Sequence, residues 1–371
     1  MLDFLAAARQ PVIDAIEASL QSRKRLLAFA SRDHGTDAPS RLAAFATRGK
    51  LIRGCLVRLG RDLVGGQGAA SVSDAAVAEA GAAMELFQSG LLVHDDIMDR
   101  DRVRRGAPTV HAAYEADLER GAYADPAHGG ESLAICLGDV AYFVAFELLA
   151  GLDVPADVCR RALALAGREL ALVATAQMQD VSDGAAGPSS ISPFASAMAE
   201  PDEASILAMY RCKTGRYTFS MPLALGAMLA GAPTAHVEIL ERVGESLGVL
   251  FQLKDDELGL FAAAATLGKP IGSDIRENKK TLFRSRLLSL AEPAEHHRLL
   301  NIFGNAGASD GDIAFVLSLM DRIGIRPGLD VMMTEYAELA RRDAAPVLSV
   351  APPLARAAFL ELVDYSLSRS A

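Results

Sequence analysis

The chain has 371 residues, of which 51% are hydrophobic and 23% charged, and a formal net charge of -10. That is ample for a core and above the usual length of one domain. It leaves no basic field of the kind duplex nucleic acid requires, so nucleic acid is excluded as a partner.

Four cysteines, Cys55, Cys136, Cys159 and Cys212, stand far apart with no paired spacing, which argues against a disulfide framework and a zinc knuckle and fits a reducing cytoplasm. At the N-terminus Asp3 arrives almost at once and no basic stretch precedes an apolar run, so no secretory signal is expected and the mature chain is expected to begin near Met1. Apolar residues then recur at three- and four-residue intervals over long stretches, the period of helices packing on helices, with no run of alternating strands. Breaks rich in Gly, Pro, Ser and Asp fall at Val64 to Gly68, Ala124 to Gly130, Ser182 to Pro193, Gly231 to Pro233 and Gly304 to Gly311, separating ten or more expected helices. None reads as an interdomain linker, so a single all-α domain over 1–371 is expected. The most apolar stretch, Ser132 to Leu152, carries Asp139 and Glu147, which a lipid-spanning helix would accept only at high cost, so it reads as a buried helix and no transmembrane segment is expected. Val181 to Asp202, without clear periodicity, is expected to be a mobile loop.

From Leu86 to His94 there is no formal charge, and then Asp95, Asp96 and Asp99 arrive together. On a helix Asp95 and Asp99 lie one turn apart on one face, about 5.4 Å along the axis, so their carboxylates can converge and would repel unless a cation joined them. An isolated acidic triplet is ordinarily a solvated helix end. Here Arg102, Arg104 and Arg105 follow directly, then Gly106, Ala107 and Pro108. Acids suited to magnesium beside arginines suited to phosphate oxygens make a natural diphosphate site.

Gly248 to Glu257 repeats the design, an apolar helix ending in Asp255 and Asp256. Two such clusters facing each other could hold several metal ions on one diphosphate. Lys50, Arg53, Lys213, Lys269 and Lys279 supply further cations, each of which taken alone is more often a surface residue.

At this point the chain resembles the trans-isoprenyl diphosphate synthases. The pieces occur in that family's order from Arg48 to Leu282: Gly49-Lys50-Leu51-Ile52-Arg53, Asp95-Asp96-Ile97-Met98-Asp99 with Arg104-Arg105-Gly106, Gly138-Asp139, Gln177 and Asp180, Lys213-Thr214, Phe251-Gln252 with Asp255-Asp256, and Gly268-Lys269 through Lys280-Thr281. The resemblance implies a bundle of long antiparallel helices around a central cavity with both acidic clusters at its mouth. It also implies a homodimer and magnesium as cofactor, with three ions when diphosphate is bound. Asp95, Asp96, Asp99, Asp255 and Asp256 would serve the metal. Arg104, Lys213 and Lys269 would hold the allylic diphosphate, with Lys279 near the same phosphates. Lys50, Arg53, Gln88 and Arg105 would bind the diphosphate of isopentenyl diphosphate. Lys213, Thr214 and Gln252 would stabilise the allylic cation. The chain departs from the family pattern at Arg48, Leu51 and Gly54, which replace a Gly, an Arg and a Pro of the first motif, and at Gly259, which replaces the last aspartate of the second acidic motif.

Product length should depend on what closes the tunnel. Leu91, Phe87 and Met84 share the helix face that leads to Asp95. Gly90 and Leu91 are not the bulky aromatics that stop short products, whereas Phe87, a turn deeper, can serve as the floor or merely pack between helices. Phe87 as the floor implies geranylgeranyl diphosphate, with farnesyl or longer polyprenyl diphosphates as alternatives. A class I terpene cyclase would not need Lys50, Arg53, Gln88 and Arg105, and a silent partner subunit tends to lose the first acidic motif, which here is whole.

Overall fold

The computed structural model describes residues 2–64, 72–185, 201–261 and 272–369. These fall into two compact units, the first comprising 1–167, 222–238 and 347–358 and the second 168–221, 239–346 and 359–371.

In the first unit α1 (Leu2–Ala30), α2 (Arg32–Ala46), α3 (Ile52–Val64), α4 (Asp74–Met98), α5 (Val110–Arg120) and α6 (Pro126–Ala150) follow one another, and α7 (Ala156–Ala185) begins there. The α4 helix starts where the Ser73 hydroxyl accepts from Ala76 N at 3.1 Å, an N-cap that satisfies one orphan donor. From Ala80 to Phe87 every residue of α4 is buried, because α1, α2, α3 and α6 all pack on it. Asp125 caps α6 and Pro126 opens it, so this helix begins inside the break expected from 124 to 130.

By length and composition α6 could cross a membrane, and it is the one described helix of which this holds. The expectation that it is a buried helix is met on one face only. Ala134, Leu137, Ala141, Val144, Ala145 and Leu149 are buried, while Ile135, Cys136 and Phe143 are exposed, Phe143 at 70%. One apolar face suffices to pack on α4 and α5, and the other remains at the surface of the unit.

Between α4 and α5 lies a feature that the helical periodicity did not disclose. Val103–Arg104 (β1) pairs antiparallel with Ala107–Pro108 (β2), joined by Arg105 and Gly106 at φ +52° and +72°. Two central residues at positive φ make the type I′ turn whose twist suits a two-residue hairpin.

The second unit holds the remainder of α7, then α8 (Glu203–Met209), a π-helical segment (Tyr210–Ser220), most of α10 (Thr234–Phe261), α11 (Ser273–Arg276), α12 (Leu282–Leu290), α13 (Pro293–Ile302), α14 (Asp310–Ile323), most of α15 (Ile325–Val350) and the end of α16 (Pro353–Ser368). The short α9 (Met221–Leu229) belongs mainly to the first unit. Tyr210, Tyr217, Phe219, Leu250, Leu253 and Phe283 are almost wholly buried in the second unit. Buried Glu169 is held there by Arg216 through two bonds of 2.7 and 2.8 Å. The breaks expected near 231 to 233 and 304 to 311 separate α9 from α10 and α13 from α14. Of the expected loop from Val181 to Asp202, residues 181–185 are the last turn of α7, and 186–200 lie outside the described residues.

Candidate active site

In the first unit the Lys50 segment is held by a tight backbone and a buried acid. Gly49 and Leu51 take φ +98° and +48°, a left-handed path that is costly for leucine. The Arg105 guanidinium lies over Gly49, where a Cβ would stand 2.6 Å from Cζ, so a side chain here would displace Arg105 and would also strain the backbone at φ +98°. Arg105 also donates to the Arg48 carbonyl. Beneath them Glu85, buried in α4, accepts from Gly54 N at 2.7 Å. Burial raises the Glu85 pKa, opposed by the bond from Gly54 and by the charges of Arg53 and Arg105. Glu85 is therefore the counter-charge under two of the expected diphosphate-binding cations. Sequence reasoning missed this role, and the available signal was an acid standing inside an otherwise apolar helix.

Four residues lie between the end of α4 and the hairpin, which separates two adjacent arginines. Arg105, in the turn, reaches the Gly49 segment, whereas Arg104, on β1, reaches the acids. Its guanidinium pairs with Asp95 at 3.6 Å, with Asp101 at 3.8 Å, and more closely with Asp96 through Nε. Asp99 caps α4 in helical conformation and donates its N–H to the Asp95 carbonyl at 2.8 Å, which preserves the one-turn spacing of the two carboxylates. Asp96 is wholly buried. Its pKa is pushed up to about 6 by that burial, with Arg104 opposing and Asp95 and Asp101 adding to the rise. Gln88 is half-buried on α4, and Lys50 is exposed.

In the second unit the π-helical segment, a widened geometry often met at functional sites, carries Lys213 and Thr214. Lys213 pairs with Asp180. The Thr214 hydroxyl donates to Gln252 Oε1 at 2.7 Å, and Gln252 Nε2 donates to Asp256 Oδ1 at 2.9 Å. Tyr210 donates to the other Asp256 oxygen and accepts from Leu282 N at 3.2 Å. Burial pushes Asp256 up to about 7, against the hydrogen bonds from Tyr210 and Gln252 and with Asp274 and Asp255 adding. Both Asp256 oxygens are thus committed to orienting Gln252 and Tyr210. Asp255 is more open and pairs with Arg369, whose guanidinium lies 3.5 Å from the centre of the Phe251 ring.

The replacement at Gly259 has a structural counterpart. A Cβ at this position would stand 2.6 Å from Asp274 Oδ2, so a carboxylate from α11 already occupies the side of α10 where the missing aspartate would begin. Lys279 holds the other Asp274 oxygen at 2.7 Å. Lys269 lies outside the described residues.

Among the described residues no three His, Cys, Asp or Glu side chains converge on one point. Magnesium does not demand such a cage, since it keeps waters and phosphate oxygens beside one or two carboxylates. The residues fit the ion on two counts. The available donors are hard carboxylate oxygens, and Asp96 Oδ2 is buried without a hydrogen-bond partner.

A helical fold with two acid-ended helices, each with cations close by, is suited to a protein that handles diphosphates. A family model described as polyprenyl synthetase matches residues 40–320, and the chain belongs to that family and is a trans-prenyltransferase. It is 34% identical over 271 residues to a geranylgeranyl diphosphate synthase of Sulfolobus acidocaldarius, covering 72% of each chain. It is 30% identical to a geranylgeranyl diphosphate synthase of Saccharolobus solfataricus, covering 88% of each. Its fold is similar to the crystal structure of geranylgeranyl pyrophosphate synthase from Corynebacterium glutamicum, complexed with isoprenyl diphosphate and magnesium, with a TM-score of 0.84, 29% identity and coverage of 97% of this chain and 98% of that one. The all-helical isoprenoid synthase fold expected from the sequence is the fold of this chain.

Proposed function

We propose that the chain condenses isopentenyl diphosphate with an allylic diphosphate in the presence of magnesium, and that its product is geranylgeranyl diphosphate. The observation that carries this reading is buried Glu85 beneath Arg53 and Arg105, beside a complete first acidic motif. A site that only ionised one diphosphate would have no use for a second, separately organised set of cations.

In the reaction the allylic carbon–oxygen bond breaks, and pyrophosphate departs with the electron pair. The double bond of isopentenyl diphosphate attacks the resulting cation to form a carbon–carbon bond, and a proton is then lost to the released pyrophosphate. Magnesium, when bound, supplies Lewis-acid stabilisation of the departing diphosphate. Asp95, Asp99 and Asp255 are the ligands we assign to it. Asp96 orients Arg104 and offers its remaining oxygen, and Asp256 orients Gln252. Arg104, Lys213, Lys269 and Lys279 bind the allylic diphosphate, and Lys50, Arg53, Gln88 and Arg105 the isopentenyl diphosphate. The Thr214 hydroxyl donates a hydrogen bond to Gln252 Oε1, which leaves the hydroxyl lone pairs free to face a carbocation as preorganised dipoles. Phe87, wholly buried and edge-on to Phe146 at 4.9 Å, forms the floor below the prenyl chain.

Because the motifs fall on both units, we read residues 1–371 as a single prenyltransferase domain. The exposed apolar face of α6 with Ile135 and Phe143 supports a homodimer, and the unpaired cysteines support a cytoplasmic location.

The test is to incubate the purified protein with magnesium, labelled isopentenyl diphosphate and, separately, dimethylallyl, geranyl and farnesyl diphosphate, and to size the dephosphorylated products. A C20 product that lengthens in Phe87→Ala is expected. No elongation with any primer would favour the cyclase or the silent-subunit reading.

A further inference from the structure

The α4 and α6 helices run antiparallel in steady register. His94 meets Gly138, Gly90 meets Tyr142, and Phe87 meets Phe146. The His94 ring lies edge-on to Tyr142 with centroids 5.5 Å apart. Between the two aromatic contacts stands Gly90, where a Cβ would come within 2.7 Å of Tyr142 Cε1 and 2.9 Å of the Gly138 carbonyl. The space that Gly90 leaves on α4 is therefore filled from the facing helix by an aromatic ring.

We propose that Tyr142 is a product-length residue, its ring taking the place of the bulky side chain that Gly90 lacks and closing, together with Phe87 and Phe146, the room open to the growing prenyl chain. The proposal rests on the elongating activity described above. Gly90 is five residues before Asp95 and Phe87 eight, roughly 7.5 and 12 Å along the helix at 1.5 Å per residue. A chain anchored by its diphosphate at Asp95 and lying along α4 passes the level of Tyr142 before it meets Phe87. Tyr142 is half-buried on α6. Burial raises the phenol pKa, with the Asp139 charge adding to it, which keeps the group neutral beside an apolar chain. Gly90 alone suggests an open tunnel at this level. Only the register of the two helices reveals what closes it.

The experiment sizes products from the wild type, Tyr142→Phe, Tyr142→Leu, Tyr142→Ala and Phe87→Ala, each checked for folding by circular dichroism. Tyr142→Phe is expected to keep the wild-type length, because the ring and not the hydroxyl fills the wall beside Gly90. Tyr142→Leu and Tyr142→Ala are expected to extend the product by one or more C5 units with Phe87 intact, the alanine further than the leucine. Leucine, which keeps more of the packing, carries the test if the alanine variant does not fold. Wild-type length in both, with Phe87→Ala lengthened, would mean that Tyr142 only packs, and unchanged length in all variants would place the stop elsewhere; either result overturns the proposal. A wild type that elongates no primer fails differently, by removing the prenyltransferase reading itself.

Discussion

The two acid-ended helices look alike in sequence and are built differently in structure. At the end of α4 the acids are served by near neighbours, Arg104 lying only 8 residues beyond Asp96 on a hairpin that follows directly. At the end of α10 the partners come from far along the chain. Thr214 is 38 residues from Gln252, Tyr210 is 46 from Asp256, and Arg369 is 114 from Asp255. The first cluster is a local device that the chain assembles as soon as the helix and hairpin form. The second exists only once distant segments have packed, and most of its hydrogen bonds orient side chains rather than pair opposite charges.

From that contrast, the largest effect is expected from the carboxylates that each helix end presents. Asp95→Ala is expected to lower kcat/KM by about 10³-fold or more by removing metal-assisted stabilisation of the leaving diphosphate. Retention of activity within tenfold would return the first cluster to the status of a solvated helix end. Arg104→Lys comes next, with an expected loss of about 10²-fold in steady-state turnover, since an ammonium cannot reproduce the planar fork that touches Asp95, Asp96 and Asp101.

The second cluster should respond in stability as well as in rate. Tyr210→Phe deprives Asp256 and Leu282 N of a buried partner and is expected to cost about 1–3 kcal/mol in urea unfolding. Gly259→Asp, which restores the family pattern, should also destabilise by about 1–3 kcal/mol, because its Cβ meets the Asp274 carboxylate. A second change, Asp274→Ala, should relieve that cost, and a double-mutant cycle measures the coupling. Additive effects in the cycle would show that Asp274 does not fill the Gly259 gap. The smallest change is expected for Arg369→Ala. Removing a cation from the partly exposed Asp255 should lower the magnesium needed for half-maximal activity by roughly two- to five-fold, as the modest worth of such an ion pair suggests.

Much of this protein follows from the sequence alone. The 3.6-residue periodicity carries the helical class, and the acid–arginine juxtaposition from Asp95 to Arg105 carries the proposal of diphosphate chemistry, because carboxylates one helix turn apart and a turn that follows at once are short-range consequences of covalent geometry. Motif order then points to the family. Other features lie beyond any local reading. Glu85 becomes the counter-charge of Arg53 and Arg105 only because α3 packs on α4, and Asp274 meets Gly259 only because α11 folds back on α10. Tyr142 fills the gap at Gly90 only through the antiparallel register of α4 and α6. Each depends on which side chains long-range packing brings within a few ångströms, a quantity that spacing along the chain does not encode.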